Sequence, residues 1–239
     1  MMKDKDITKD MERWEFNDDV TGVFNEMLER SIPSYHRMRC LVTGLCSDYI
    51  KQKGLYDYPI LDLGCSTGEQ IQLFRECLPN PIIGCEISEP MLEHSREKFK
   101  EDNTIRILDT DIAKQPLPNE NYCLITSILT IQFTPIEYRQ KILCNIHESL
   151  IKEGVFIFVE KIIGDNSTYT EMYEKEYHKH KKIQGYTEQE IRDKKLKLEG
   201  VLMPVSDTFN RELLKQAGFH HFDVFWKDLQ FVGYVAIKD

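Results

Sequence analysis

The stretch PILDLGCSTGEQ at residues 59–70 constrains the fold more than any other part of the chain. It opens with a short apolar run, typical of a strand buried on both faces, and then breaks at Gly64 and Gly68. From Glu69 onward, apolar residues recur at helical spacing. A strand, a glycine turn and a helix in this order predict a nucleotide-binding βα unit, whose turn and helix start direct backbone amides at a ligand.

The spacing of the two glycines separates the classes of such units. A dinucleotide-binding turn needs G-x-G-x-x-G, whereas Gly64 and Gly68 give G-x-x-x-G after Asp62 and Leu63. This form resembles the first motif of class I S-adenosylmethionine-dependent methyltransferases. It disfavours an NAD-dependent dehydrogenase, although a plain loop would remain an alternative if the stretch stood alone.

Four further apolar runs follow this unit, with helical patterns between them, at residues 81–88, 104–108, 122–129 and 155–160. Such alternation predicts a parallel sheet covered on both faces and joined by right-handed crossovers. The last two runs, at 222–226 and 231–237, are expected to pair antiparallel. We therefore expect an α/β protein with the Rossmann-like class I methyltransferase fold and a mostly parallel seven-stranded sheet with an antiparallel C-terminal strand.

The length of 239 residues favours one methyltransferase-like domain over residues 1–239. Its expected parts are an N-terminal helical segment (1–58), a cofactor-binding core (59–163), a helical insertion (164–207) and a C-terminal helix with a strand hairpin (208–239). Residues 1–10 are expected to form a mobile tail. The polar insertion is expected to cover the ligand or contact a partner. Capping boxes are predicted at Thr134 and Thr187, each followed three residues later by glutamate.

Composition excludes several functional classes. The net charge of −9 argues against an extended phosphate-neutralising surface, so direct nucleic-acid binding is not expected. No apolar run approaches the ~20 residues that span a bilayer, and the charged N-terminus has no apolar run after it, so we expect no membrane association and no secretory signal. Seven cysteines without a C-x-x-C pair indicate reduced thiols in a cytoplasmic protein and no zinc site.

Ligands of open α/β sheets bind beyond the carboxyl ends of the strands, so the residues at those ends are the cofactor candidates. Backbone groups near the methionine portion are expected from Gly64, Cys65, Ser66 and Gly68. Glu86 closes the second strand and can accept both ribose hydroxyls, a geometry that also serves NAD. Asp111 could accept from the adenine amino group while the Ile112 amide meets a ring nitrogen; a solvated loop is the alternative for Asp111.

A closer resemblance lies outside these motifs, in WEF (14–16), SIPSY (31–35), TIQF (130–133), GYTEQEI (185–191) and AGF (217–219). These segments resemble the carboxy-S-adenosylmethionine synthase family over residues 14–237. The resemblance implies a homodimer that converts S-adenosylmethionine and prephenate into a carboxylated sulfonium used in tRNA wobble-uridine modification. It also implies ligand contacts at Tyr35, Gly64, Cys65, Ser66, Ile87, Asp111 and Ile112.

Three positions depart from that family. Glu86 replaces an aspartate, which keeps the function, and Ile128 replaces an asparagine whose hydrogen bonds an aliphatic side chain cannot make. Lys195 stands where the family has the arginine that grips the extra carboxylate, so the charge stays but the bidentate fork is lost. Lys195 could equally belong to a solvated helix face. Together the departures favour a relative that uses S-adenosylmethionine for ordinary methyl transfer.

Methyl transfer from a sulfonium requires the protein to align the acceptor and exclude water, with a general base only where the acceptor loses a proton. The catalytic candidates are Lys195, Tyr186 and His178, each of which could instead be a packing or surface residue. We expect transfer to a small, anionic acceptor held by Arg39 or Lys195. Two alternatives stay open: carboxy-S-adenosylmethionine synthesis, and a non-catalytic module that binds the cofactor or a partner.

Overall fold

The computed structural model describes residues 11–239, so the predicted mobile tail at residues 1–10 lies outside them. Two helices, α1 (Asp18–Ser31) and α2 (Tyr35–Lys53), precede the sheet. The sheet strands are β1 (Ile60–Leu63), β2 (Ile82–Glu86), β3 (Ile105–Asp109), β4 (Tyr122–Ile128), β5 (Leu150–Ile163), β6 (Val205–Ser206), β7 (His221–Asp228) and β8 (Phe231–Ile237). The other helices are α3 (Glu69–Cys77), α4 (Glu89–Phe99), α5 (Ile136–Ser149), α6 (Ser167–Ile183), α7 (Glu188–Leu198) and α8 (Asp207–Gln216).

The strands form one sheet in the order β3-β2-β1-β4-β5-β8-β7, with β6 paired to the end of β5. The pairs from β3 to β5 are parallel, and β8 runs antiparallel to both of its neighbours. This confirms the expected Rossmann-like fold; the short β6 is an eighth strand that the sequence did not predict. Because β1 lies between β2 and β4, the chain reverses its direction across the sheet there, which leaves a crevice at the carboxyl ends of these strands.

Continuous apolar runs fill the middle of the sheet, and helices cover both of its faces. Every residue of β1 is buried, and in β4 only the last residue is partly exposed. On one face Phe156 stacks on Phe158 and on Phe219, with ring centroids 5.6 Å apart in both pairs. Burying one such side chain contributes about 1.5–3 kcal/mol, so this packing stabilises β5, the neighbour of β4.

The two predicted capping boxes have different outcomes. Thr187 and Glu190 form the predicted box at the start of α7. At Thr134 the prediction is wrong: its hydroxyl donates to the carbonyl of Ile131 (2.8 Å), and Pro135 precedes α5 without a side-chain cap. The helix begins one residue later than the box requires, with Pro135 at its N-cap, so Thr134 and Glu137 do not occupy the capping-box positions. Within residues 11–239, no helix is both long and apolar enough to cross a membrane.

Candidate functional site

A cavity of about 590 Å³ opens at the carboxyl ends of β1, β2 and β4 and reaches α6 and α7. This volume is typical of small-molecule sites. The cavity brings together most of the sequence-predicted residues: Tyr35, Arg39, Gly64, Cys65, Ser66, Glu86, Ile87, Asp111, Ile112, Ile128, His178 and Lys195. Gly68 and Tyr186 do not line it.

The turn after β1 is shaped by residues with positive φ. Gly64 has φ 67°, and a Cβ there would collide with the side chain of Thr130. The amides of Gly64 and Cys65 both donate to the carbonyl of Cys85, at 2.8 and 3.0 Å. These two amides therefore hold the turn against β2, so the expectation that they point at a ligand is wrong. What the turn offers the cofactor is close access to its backbone, which a side chain at position 64 would block.

Gly68 and Tyr186 do not line the cavity but stabilise the elements around it. Gly68 caps α3 with φ 77°, and a Cβ there would meet the ring of Phe99. Its predicted cofactor contact stays a prediction. The Tyr186 hydroxyl lies 3.1 Å from the hydroxyl of Ser31, and the Arg30 guanidinium covers its ring at 4.5 Å. The predicted catalytic role of Tyr186 is therefore not supported by its position, which ties α1 to the loop before α7.

Glu86 closes β2 as predicted, and its carboxylate already accepts three backbone hydrogen bonds. One oxygen accepts from the Ser66 amide (2.9 Å), and the other accepts from Ile87 (2.8 Å) and Ser88 (3.0 Å). Because a carboxylate has about four acceptor positions, roughly one is left for a ribose. Accepting both ribose hydroxyls therefore requires at least one of these amide bonds to be shared or released.

The residues after β2 and β3 can hold a nucleoside base. Asp111 accepts from the Ala113 amide (3.0 Å) and pairs with Lys114 (2.8 Å). Partial burial raises the pKa of Asp111, but these contacts lower it on balance, so the side chain stays ionised. Ile87 is 62% exposed at the cavity, whereas Ile112 is buried. An apolar surface beside a carboxylate fits an adenine ring with its amino group.

Arg39 and Asp62 lie at the end of the cavity near the glycine turn. The Thr126 hydroxyl donates to the Asp62 carboxylate at 2.6 Å. Burial raises the pKa of Asp62 to about 6, and the Thr126 hydrogen bond and the Arg39 charge lower it in part. Arg39 is buried and donates through Nε to Gln70 (3.3 Å). Its buried Nη2 finds no hydrogen-bond partner among the described residues. Arg39 lines the cavity, so its guanidinium can pair with an anionic group of a ligand there, and its predicted role toward the acceptor stays a prediction.

The opposite wall of the cavity is cationic. It carries Lys161 at the end of β5, Lys181 on α6, and Lys194 and Lys195 on α7. The predicted residue Lys195 is paired with Glu174, at 3.0 and 3.2 Å. Lys161 and Lys181 both contact the Tyr177 ring, with their ammonium groups 4.9 and 4.7 Å from its centroid, and Lys194 lies 5.0 Å from the Trp14 ring.

Burial and repulsion between neighbouring cations alter the charge of this wall. Burial first, and then the neighbouring lysines, lower the pKa of Lys161 to about 8, that of Lys181 to about 6 and that of Lys194 to about 7. Burial and Lys181 also lower the pKa of His178. The site thus holds groups that change protonation near neutral pH, which is common where ligands or reactions are handled.

Sequence reasoning missed these three lysines. Lys161 directly follows the predicted apolar run at residues 155–160, so the strand-end rule that identified Glu86 could have found it. Lys181 and Lys194 stand in lysine-rich helices that read as solvated faces, and no sequence signal marked them. No group of His, Cys, Asp or Glu side chains in residues 11–239 is placed to hold a metal ion.

Known proteins place these features in one family. A protein-family profile described as "Methyltransferase domain" matches residues 60–154. The carboxy-S-adenosyl-L-methionine synthase of Methylococcus capsulatus is 36% identical over 229 residues, covering 93% of both chains. The synthase of Sulfurimonas denitrificans is 36% identical over 244 residues, covering 99% of this chain and all of the relative.

Solved structures support the fold. Human N-acetylserotonin methyltransferase in complex with S-adenosylmethionine superposes with a TM-score of 0.61 at 15% identity, covering 92% of this chain and 55% of that chain. The structure of PigF with S-adenosylhomocysteine superposes with a TM-score of 0.62 at 17% identity, covering 93% of this chain and 60% of that chain. The matched domain and the cavity at the strand ends agree with the predicted cofactor, S-adenosyl-L-methionine. The chain belongs to the carboxy-S-adenosyl-L-methionine synthase family.

Proposed function

We propose that this protein is a carboxy-S-adenosyl-L-methionine synthase. In the overall reaction S-adenosylmethionine and prephenate give the carboxylated sulfonium, phenylpyruvate and water. The observation that carries the proposal is that one cavity joins a methyltransferase-type glycine turn to a wall of four lysines. Prephenate is a dianion, so a cationic wall beside the sulfonium end of the cofactor suits it.

The relatives favour this reaction over the ordinary methyl transfer that the sequence departures suggested. These relatives are named carboxy-S-adenosyl-L-methionine synthases, and they match nearly the whole chain. The replacement of the family's arginine by Lys195 is a weaker argument against the synthase reaction, because Lys161, Lys181 and Lys194 lie on the same wall. Ile128 lines the cavity and contributes only apolar contact, which a cofactor already held elsewhere can tolerate.

The cofactor supplies a methyl carbon activated by a sulfonium. In our proposal the chain holds and orients both substrates: Arg39 binds the methionine carboxylate, Glu86 the ribose, Asp111 the adenine amino group, and the lysines the second substrate. Closure of the cavity by α6 and α7 excludes water, which strengthens each of these electrostatic contacts.

Methyl transfer to a small anionic acceptor is the second candidate, favoured by the pairing of Lys195 with Glu174. Incubation with S-adenosylmethionine and prephenate, followed by mass spectrometry, separates the two. Phenylpyruvate together with a sulfonium heavier by one carboxylate supports the synthase. Absence of both products, with S-adenosylhomocysteine formed on another anionic acceptor, supports the methyltransferase. Absence of every product, with tight cofactor binding, supports a non-catalytic module.

The homodimer implied by the family resemblance is also part of the proposal. Large apolar side chains on α6 and α7 are exposed: Met172 (57%), Ile183 (82%) and Leu196 (57%). Exposed apolar groups of this kind are common where copies of a chain associate. Light scattering of the purified protein should give twice the chain mass, and substitution of Ile183 by aspartate should shift it toward the monomer.

A further inference from the structure

Three lysines of the cationic wall lack a counter-ion among the residues that the structure describes. Within residues 11–239, no carboxylate lies within ion-pair distance of Lys161, Lys181 or Lys194. Glu174 attracts Lys161 electrostatically, but its carboxylate is paired with Lys195. The hydrogen bond of Lys194 to the Ser31 hydroxyl is long, at 3.5 Å. Lys195 therefore has a partner carboxylate in the pocket, whereas Lys161, Lys181 and Lys194 have none among the described residues when they are protonated.

Burying ammonium groups close to one another is unfavourable unless an anion joins them. The rings of Tyr177 and Trp14 compensate in part, because a cation over an aromatic face is attracted by the ring. All three lysines line the cavity. Side chains from three separate elements, β5, α6 and α7, converge on this place, so it is a built feature of the fold.

We propose that Lys161, Lys181 and Lys194 form a carboxylate-binding site for the second substrate, separate from Lys195, and that the site takes up protons when it binds. This inference rests on the proposed function in naming prephenate as that substrate. Because an anion favours the charged form of each lysine, binding near neutral pH draws protons from solution. The titratable and charged groups that face the three lysines are Arg30, Glu174, Tyr177, His178, Tyr186 and Lys195.

Isothermal titration of prephenate into the protein saturated with S-adenosylhomocysteine tests the site without turnover, because this cofactor lacks the methyl carbon. Titrations at about pH 7.5 in buffers of different ionisation enthalpy give the protons taken up. Lys181→Met and Lys194→Met should each weaken prephenate binding about tenfold or more and reduce the proton uptake, with unchanged S-adenosylhomocysteine affinity. Lys181→Arg should retain binding, which separates loss of charge from misfolding.

The matched control is Lys179→Met, since Lys179 lies on the same helix but pairs with Glu176 in solvent. Wild-type affinity in both lysine-to-methionine variants, absent proton uptake, or failure of the wild type to bind prephenate would each overturn the site. Prephenate bound through the lysines, without formation of a carboxylated sulfonium, would overturn the proposed function and leave the site standing. Formation of the carboxylated sulfonium, with unchanged prephenate affinity in the lysine variants, would overturn the site and leave the proposed function standing.

Discussion

The Nζ atom of Lys195 lies 3.0 Å from Oε2 and 3.2 Å from Oε1 of Glu174 across the cavity wall. The Lys195 and Glu174 side chains are 52% and 37% exposed, so the pair contributes roughly 0–1 kcal/mol to stability. Its larger effect is on charge, because Glu174 neutralises the lysine that the family resemblance aligns with an arginine.

We predict that Glu174→Gln lowers the KM for prephenate about two- to tenfold, because Lys195 is freed to face the substrate. The melting temperature should change by less than about 3 °C. The control is Glu176→Gln, which breaks the solvent-exposed pair with Lys179 on the same helix. An unchanged KM in Glu174→Gln, together with unchanged affinity for the second substrate in Lys195→Met, would remove Lys195 from the site.

Arg39 is predicted to hold the methionine carboxylate of the cofactor. Arg39→Met should weaken S-adenosylhomocysteine binding about tenfold or more, since a charge-assisted hydrogen bond is lost. Methylthioadenosine, which lacks the amino-acid tail, should bind both proteins equally. Arg37→Met is the control, because Arg37 is exposed on the same helix. Equal loss of both ligands in Arg39→Met would indicate a general disruption of the cavity.

Gly64→Ala should destabilise the fold and abolish cofactor binding. Alanine at φ 67° costs about 1–3 kcal/mol, and its Cβ would also collide with Thr130. Gly44→Ala on α2 should instead be neutral or stabilising by up to about 1 kcal/mol, because nothing lies within 4 Å of its Cβ. Chemical denaturation measures both changes. Normal cofactor affinity in Gly64→Ala would show that the turn can rearrange.

The free energy of unfolding of the ligand-free protein should rise with pH from about 6 upward, in part because of Lys181. Burial lowers the folded pKa of Lys181 to about 6 from 10.5, so the unfolded chain binds the additional proton within this window. Lys181→Met should be more stable near pH 6.5, and its stability should rise less steeply with pH. Denaturation at several pH values checks this; identical slopes for the two proteins would show that Lys181 stays charged in the fold.

The sheet and the cofactor end of the cavity could be predicted from the sequence. Apolar runs fix the strands, and the strand-end rule then places Glu86 and Asp111 without knowledge of distant contacts. The roles of individual atoms could not be predicted in this way. The Gly64 and Cys65 amides bond to Cys85, and the Glu86 carboxylate accepts three amides, because neighbouring strands compete with the ligand for the same groups.

The substrate end was harder to predict because its residues come from separate helices. Lys181 and Lys194 resemble their exposed neighbours Lys182 and Lys195 in sequence, and packing against Tyr177 and Trp14 distinguishes them. The sequence pointed to Lys195 because the family resemblance aligns it with an arginine. In the structure, Lys195 is paired with Glu174. Tyr186, a predicted catalytic candidate, packs against Arg30 instead.

The contact between Lys194 and Trp14 gives the protein an internal optical reporter. The ammonium lies 5.0 Å from the ring, and the chain has only one other tryptophan, Trp226. Indole emission responds to a nearby charge, so a change in the protonation of Lys194 should alter the fluorescence of Trp14. In a Trp226→Phe background, the unlabelled enzyme could thus display the filling and emptying of its anion site in real time, on the timescale of stopped-flow mixing.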